Sequence, residues 1–198
     1  MVKNALSLTY PNTNMKGDGQ IVSISFSDRM LIELLPAFIN DDCKTYIFPN
    51  SNNGGSWKIT DPKAEQNAIQ YTNDLTNKNL KKLCRIMRVW KRENNVDIPG
   101  ILIDILAFNF IQNYDYKEKS YLYYDYMTRD FLKYLSEVPT TQIKWQVMGS
   151  GRYIFHPGNF QYKSKVSYNC SLNAIDYESK NNEYSANLEW RKIYGSNF

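Results

Sequence analysis

Hydrophobic and polar positions follow one rhythm early in the chain and another after it. Over residues 20–26 they alternate, with Val22, Ile24 and Phe26 on one side and Ser23 and Ser25 on the other, the period of a half-buried strand. Ser27-Asp28-Arg29 connects this run to a second, apolar one, residues 30–35, which Pro36 ends; together they predict an antiparallel hairpin. Upstream, residues 2–8 read as a helix tail or entry segment, Tyr10 to Asn14 as a loop punctuated by Pro and Asn, and Gly17-Asp18-Gly19 as a turn. A Gly- and Asn-rich stretch, residues 50–56, precedes a switch to helical period. Asp61 is placed to cap a helix whose first turn holds Pro62, where a missing N–H costs nothing. Helices are predicted over 61–72, 79–93, 100–112, 120–135 and 160–177, with a loop at Gly149-Ser150-Gly151, a short extended piece within 154–160 and a last short helix around Trp190. Strands first and helices after predict an α+β arrangement.

Composition narrows the function classes. The 198 residues are 42% hydrophobic and 15% aromatic, ample for a packed core, so a disordered chain is excluded. The longest apolar run, residues 98–111, is interrupted by Pro99, Gly100, Asp104 and Asn109 and is too short to cross a bilayer. No apolar signal core follows Met1-Val2-Lys3-Asn4, and the expectation is a soluble, cytoplasmic protein with no membrane partner. Cys43, Cys84 and Cys170 stand far apart, an odd number without a C-x-x-C pair, which argues against a disulfide framework and a zinc site. His156 is the single histidine, so a Ser-His-Asp hydrolase or a multi-histidine metal enzyme is disfavoured. Its Phe-His-Pro-Gly setting reads as a surface turn without chemistry. The net charge of +4 permits an anionic ligand without demanding one.

Four groups of residues can carry chemistry. Strand alternation puts Glu33 on the face of Leu31 and Leu35, where burial is expected, and a buried carboxylate needs a cation, a metal or hydrogen bonds; pairing with Arg29 or another surface base is the plainer reading. In the 79–93 helix, Leu80, Leu83, Ile86, Met87 and Trp90 form an apolar stripe, and Lys81, Arg85, Arg88 and Arg92 recur on the other side. Such a stripe can grip phosphates, Arg through its planar fork and Lys as a point charge, although an ordinary solvated face is the plainer reading. Tyr46, Gly54-Gly55, Ser56 and Trp57 could stack on a base and approach a phosphate, but no P-loop spacing is present, and Tyr46 and Trp57 fit a partly buried core as well. Asp104, alone on a strongly apolar helix, is expected to pair with Arg85 or Arg88.

The order of these pieces is more telling than any one of them. Glu33-Leu34-Leu35-Pro36-Ala37-Phe38 is followed by Tyr46-Ile47-Phe48-Pro49, then Gly55-Ser56-Trp57-Lys58-Ile59-Thr60-Asp61-Pro62, then residues 80–92 and 100–108. With residues 124–131 and Trp190-Arg191-Lys192-Ile193-Tyr194-Gly195, this succession resembles the CD-NTases, bacterial nucleotidyltransferases related to oligoadenylate synthase and cyclic GMP-AMP synthase. The resemblance implies a partial nucleotidyltransferase sheet, antiparallel or mixed, over residues 1–60 and a mainly helical domain over 61–198. It implies an activity that joins nucleoside triphosphates into cyclic or linear oligonucleotide second messengers in antiphage signalling, using Mg²⁺ held by three carboxylates. Glu33 falls on the third of these, as catalytic residue and metal ligand. Arg88, in Arg88-Val89-Trp90, falls on a triphosphate-contacting lysine; Arg85 shares its stripe, and Tyr46 and Ser56 fall near the nucleotide pocket.

The family also opens with a Gly-Ser turn and an Asp-x-Asp strand, and nothing upstream of Glu33 matches either. Asp18 and Asp28 have neither the spacing nor the strand context. The expectation is a C-terminal portion, catalytically incomplete by itself, whose partners are nucleoside triphosphates, an RNA activator, and an N-terminal segment or chain supplied separately. Two alternatives stay open: a non-catalytic nucleotide- or RNA-binding module of the same ancestry, and a structural fragment whose exposed hairpin edge invites aggregation.

Overall fold

The computed structural model describes residues 2–196 and divides into two compact units, the first running to Lys63 and the second starting at Ala64. Met1, Asn197 and Phe198, which the expected bounds 1–60 and 61–198 include, lie outside the described residues.

The first unit begins with helix α1 (Val2–Thr9) and holds two three-stranded antiparallel sheets. One consists of β1 (Asn14–Asp18), β2 (Ile21–Ser25) and β3 (Leu31–Leu34); the other of β4 (Phe38–Ile39), β5 (Tyr46–Asn50) and β6 (Ser56–Thr60). The predicted hairpin is β2–β3, with Val22 opposite Leu34 and Ile24 opposite Ile32. Val22, Ile24 and Met15 are buried and form a small cluster on which Val2, Leu6 and Phe26 pack. β1 occupies what the sequence presents as a loop and a turn. Its only apolar side chain is Met15, so there is no alternation to read, yet it runs in register along β2. The turn after it is tied to the β5–β6 loop, since the Ser51 N–H donates to the Gly19 carbonyl at 2.9 Å. Gly19 has φ +53°, and a Cβ there would collide with the Asn52 side chain, so the close approach needs glycine.

The second unit is helical: α2 (Pro62–Leu75), α3 (Asn79–Glu93), α4 (Gly100–Gln112), α5 (Tyr124–Glu137), α6 (Gln161–Ser179) and α7 (Glu183–Tyr194). A small hairpin, β7 (Lys144–Gln146) with β8 (Tyr153–Phe155), sits between α5 and α6. The α3 and α4 bounds are those the periodicity predicts, and Pro62 stands at the first position of α2. The apolar stripe of α3 sends Leu80, Leu83, Met87 and Trp90 into a core shared with Leu102 and Leu106 of α4 and Phe131 and Leu135 of α5, all essentially inaccessible. Burial of side chains of this size is worth about 1.5–3 kcal/mol each. Trp90 also donates its indole N–H to the Ser167 hydroxyl of α6 at 2.8 Å, satisfying the one polar atom its burial would strand. The fold is therefore α+β, as expected. No helix of the described residues is long and apolar enough to cross a membrane.

Candidate nucleotide-binding site

The basic stripe of α3 is real, and part of it lines a cleft. Lys81, Arg85 and Arg88 border a cavity of about 230 Å³ with Ile69, Cys84 and Asp104. Arg88 projects across to α4, where its Nη2 lies 2.8 and 2.7 Å from the two oxygens of Asp104, while Nη1 donates to the Cys84 carbonyl at 3.2 Å. Asp104 thus has the role expected for a lone carboxylate on an apolar helix, and its partner is Arg88 rather than Arg85. Burial works against the Arg88 charge, but hydrogen bonding and charge from Asp104 outweigh it and raise the guanidinium pKa. Lys81 donates to the Gln70 amide oxygen. Arg85 is exposed and makes no ion pair among the described residues, so its guanidinium is uncommitted. Arg92 belongs elsewhere, paired with Glu93. Burial, with the Asp104 charge adding, pushes the Cys84 thiol far up, so at neutral pH it lines the cleft as a protonated, inert group.

Gly100 starts α4 directly after Pro99, and a Cβ on it would meet the Arg88 guanidinium at 3.7 Å, an ordinary van der Waals contact, so it borders the cleft without being required there as glycine.

The remaining candidates lie in the first unit. Glu33 is exposed, which corrects the expected burial. The β2–β3 register puts Ile32 and Leu34 on the Val22/Ile24 face and turns Glu33 to the other face, opposite Ser23; Leu31, which shares that face, is 59% exposed. No base, Arg29 included, pairs with Glu33 among the described residues. Asp18 is also corrected: it ends β1, two residues beyond Lys16, which lies opposite Ser23. Asp18 and Glu33 therefore share a face, with Cα atoms about 12 Å apart from strand geometry. Tyr46 and Ser56 sit at opposite ends of the β5–β6 hairpin, Tyr46 opposite Thr60 and Ser56 opposite Asn50, on one face but about 14 Å apart. Ser56 is exposed and Tyr46 half-buried. The structure thus gathers Lys81, Arg85 and Arg88, and places Glu33 in one sheet and Tyr46 and Ser56 at opposite ends of a hairpin in the other.

A pair of Mg²⁺ ions is not accommodated by these residues. Each hard cation needs several oxygens, and the described residues contain no group of three or more His, Cys, Asp or Glu side chains able to hold a metal. Glu33 with Asp18 about 12 Å away is no cradle for two ions.

Two small sheets are thus followed by a helical bundle with a cationic cleft on its α3–α4 side. The whole chain superposes on two solved structures of CdnC from E. coli MS115-1: its complex with HORMA-deltaN (TM-score 0.64, 17% identity, 70% of that chain covered) and its form with ATP (TM-score 0.62, 18% identity, 71% covered). More narrowly, residues 1–73 match the family model of the Second Messenger Oligonucleotide or Dinucleotide Synthetase domain. The chain is also similar to the probable cyclic nucleotide synthase IK1_05630 of Bacillus cereus (strain VD146), 24% identical in an alignment 184 residues long that covers 85% of this chain. It spans 51% of the length of that curated relative. The resemblance to the CD-NTases is therefore borne out by family model, relative and fold alike. The matched span of residues 1–73 takes in Glu33, Tyr46 and Ser56, whereas Lys81, Arg85 and Arg88 lie beyond it.

Proposed function

We propose that the chain is the nucleotide-handling portion of a cyclic nucleotide synthase of the CD-NTase kind, which builds second-messenger oligonucleotides from nucleoside triphosphates. What carries the reading is the cleft in which three basic side chains of α3 converge against a single carboxylate, leaving excess positive charge beside an apolar wall. Arg85 and Lys81 supply charge to the triphosphate, and Arg88, braced by Asp104, presents a fixed planar fork. ATP is the first substrate to test and a HORMA-type protein the first partner, because the solved relatives are recorded with each. Glu33, as third carboxylate, would act only with further acidic ligands, so these 198 residues bind nucleotide without joining it. Antiphage signalling in the cytoplasm and Mg²⁺ dependence belong to the same reading.

A second reading, a non-catalytic nucleotide- or RNA-binding module, draws on the lack of a metal-holding cluster among the described residues. Both are tested by incubating the purified chain with Mg²⁺ and labelled ATP, GTP, CTP or UTP, following binding by equilibrium dialysis and products by thin-layer chromatography. Bound nucleotide without product is expected. Failure to bind any of the four overturns the nucleotide reading, and oligonucleotide product overturns the claim of incompleteness.

A further inference from the structure

On a different side of the helical unit, side chains of α3, α5, α6 and α7 line an open cavity of about 560 Å³, a volume typical of small-molecule sites. Its walls are Ile86 and Val89 of α3 and the rings of Trp190 and Tyr194 of α7, which stack with centroids 5.8 Å apart and planes 16° from parallel. Asp125, in the first turn of α5, lines it as well.

The charges around this cavity do not balance. Asp125 makes no hydrogen bond or ion pair among the described residues, and its Oδ1 is shut off from solvent. A shielded carboxylate oxygen with no partner is costly, and folded proteins rarely leave one so. Asn187 at the wall carries no charge, and the other charged groups there are engaged. Arg92 is held by Glu93 at 2.8 Å, and Glu178 accepts the Trp190 indole N–H at 2.7 Å. No cation of the described residues therefore answers Asp125. Tyr194, whose hydroxyl donates to Thr128 at 2.8 Å, has its pKa raised by burial, and the Asp125 charge adds to that shift.

A carboxylate beside stacked aromatic faces in an apolar cavity is the environment that recognises organic cations, through charge-assisted hydrogen bonds to the acid and attraction to the ring faces. We propose that this cavity is a second ligand site, separate from the cationic cleft of α3, and that it takes a small organic cation: an amidine or amine on a compact apolar body, with its nitrogen on Asp125. Nucleotide phosphates are excluded from it by the same charge that attracts the cation. The site gives the helical unit a means of sensing a ligand other than its nucleotide.

Benzamidine and benzoate, which share a ring and differ in charge, are the probes. Titration calorimetry on the full chain should show benzamidine binding and no benzoate binding. Asp125→Asn, which keeps the side-chain volume, should weaken benzamidine by tenfold or more, as the loss of a charge-assisted hydrogen bond requires (roughly 1.5–3 kcal/mol). Val89→Phe, which fills the cavity from the α3 side without touching the carboxylate, should abolish binding while circular dichroism stays that of the parent. Saturating ATP should leave the benzamidine affinity unchanged. The proposal is overturned by equal binding of the two probes, by no benzamidine binding up to about 10 mM, by undiminished binding in folded Asp125→Asn or Val89→Phe protein, or by competition with ATP. Because the readout is a cation that the α3 cleft would repel, failure here leaves the nucleotide reading standing, and failure of ATP binding leaves this one.

Discussion

Arg88 and Asp104 lock α3 to α4 through one nitrogen, Nη2, that reaches both carboxylate oxygens at 2.8 and 2.7 Å. The pair fixes the fork of Arg88 and also cancels its charge, so the two roles pull in opposite directions when Asp104 is changed. Asp104→Asn should raise ATP affinity about fivefold, since a negative charge beside the phosphates is worth about 1 kcal/mol at the dielectric of water. The same substitution should cost about 1 kcal/mol or less in urea unfolding, because the Arg88 side chain is 44% exposed and solvent screens the pair. Weaker ATP binding in Asp104→Asn would show that bracing the fork outweighs the charge.

Alkaline pH should loosen the helical unit. Burial raises the pKa of the Cys84 thiol and of the Tyr114 and Tyr194 hydroxyls above their ordinary values, with Asp104, Asp130 and Asp125 respectively adding to it. A raised pKa in the folded state means the unfolded chain loses these protons first. Stability is therefore intact below about pH 9 and falls as pH climbs toward 11, by up to about 1.4 kcal/mol per pH unit for each group that has ionised only in the unfolded chain. Urea midpoints at pH 8, 9, 10 and 11 check this, and a flat profile contradicts it.

Two glycines of the β7–β8 turn should respond unequally to alanine. Gly149 has φ +78°, and a Cβ on it would run into the backbone carbonyl of Ala64, which cannot move aside as a side chain can. Gly151 has φ +68°, but its Cβ would meet only the Gln146 amide nitrogen at 3.5 Å. Gly151→Ala should cost about 1–2 kcal/mol, the left-handed backbone penalty, and Gly149→Ala distinctly more, about 3 kcal/mol or above. Equal midpoints in thermal melts would contradict the close approach.

Ser167→Ala should strand the Trp90 indole N–H in a core closed to solvent, at a cost of about 1–3 kcal/mol in chemical unfolding. Ser167→Thr, which keeps a hydroxyl, should recover part of it. A neutral Ser167→Ala would mean the indole finds another acceptor.

How much could be read beforehand follows from where the information sits. α3 and α4 were legible because apolar residues recur at helical spacing and Pro99-Gly100 marks a start. The Arg88–Asp104 pair was legible as a class, since an acid on an apolar helix must find a base, but choosing Arg88 over Arg85 required the helix crossing. β1 escaped because Asn14, Gly17 and Asp18 read as punctuation, and β7 and β8 because three residues carry no period. Glu33 was placed on the wrong side because alternation tells which residues share a face but not which face is covered. The Asp125 cavity was invisible, being assembled from residues as far apart as Ile86 and Tyr194.

The central claim, that Lys81, Arg85 and Arg88 form a triphosphate-binding cleft, is tested most directly by calorimetric titration of ATP at rising salt, in the parent chain and in Lys81→Ala/Arg85→Ala protein. The account predicts an affinity that falls steadily with salt in the parent and is about tenfold weaker, with a shallower salt dependence, in the double variant. ATP binding of equal strength and equal salt slope in both proteins would contradict it.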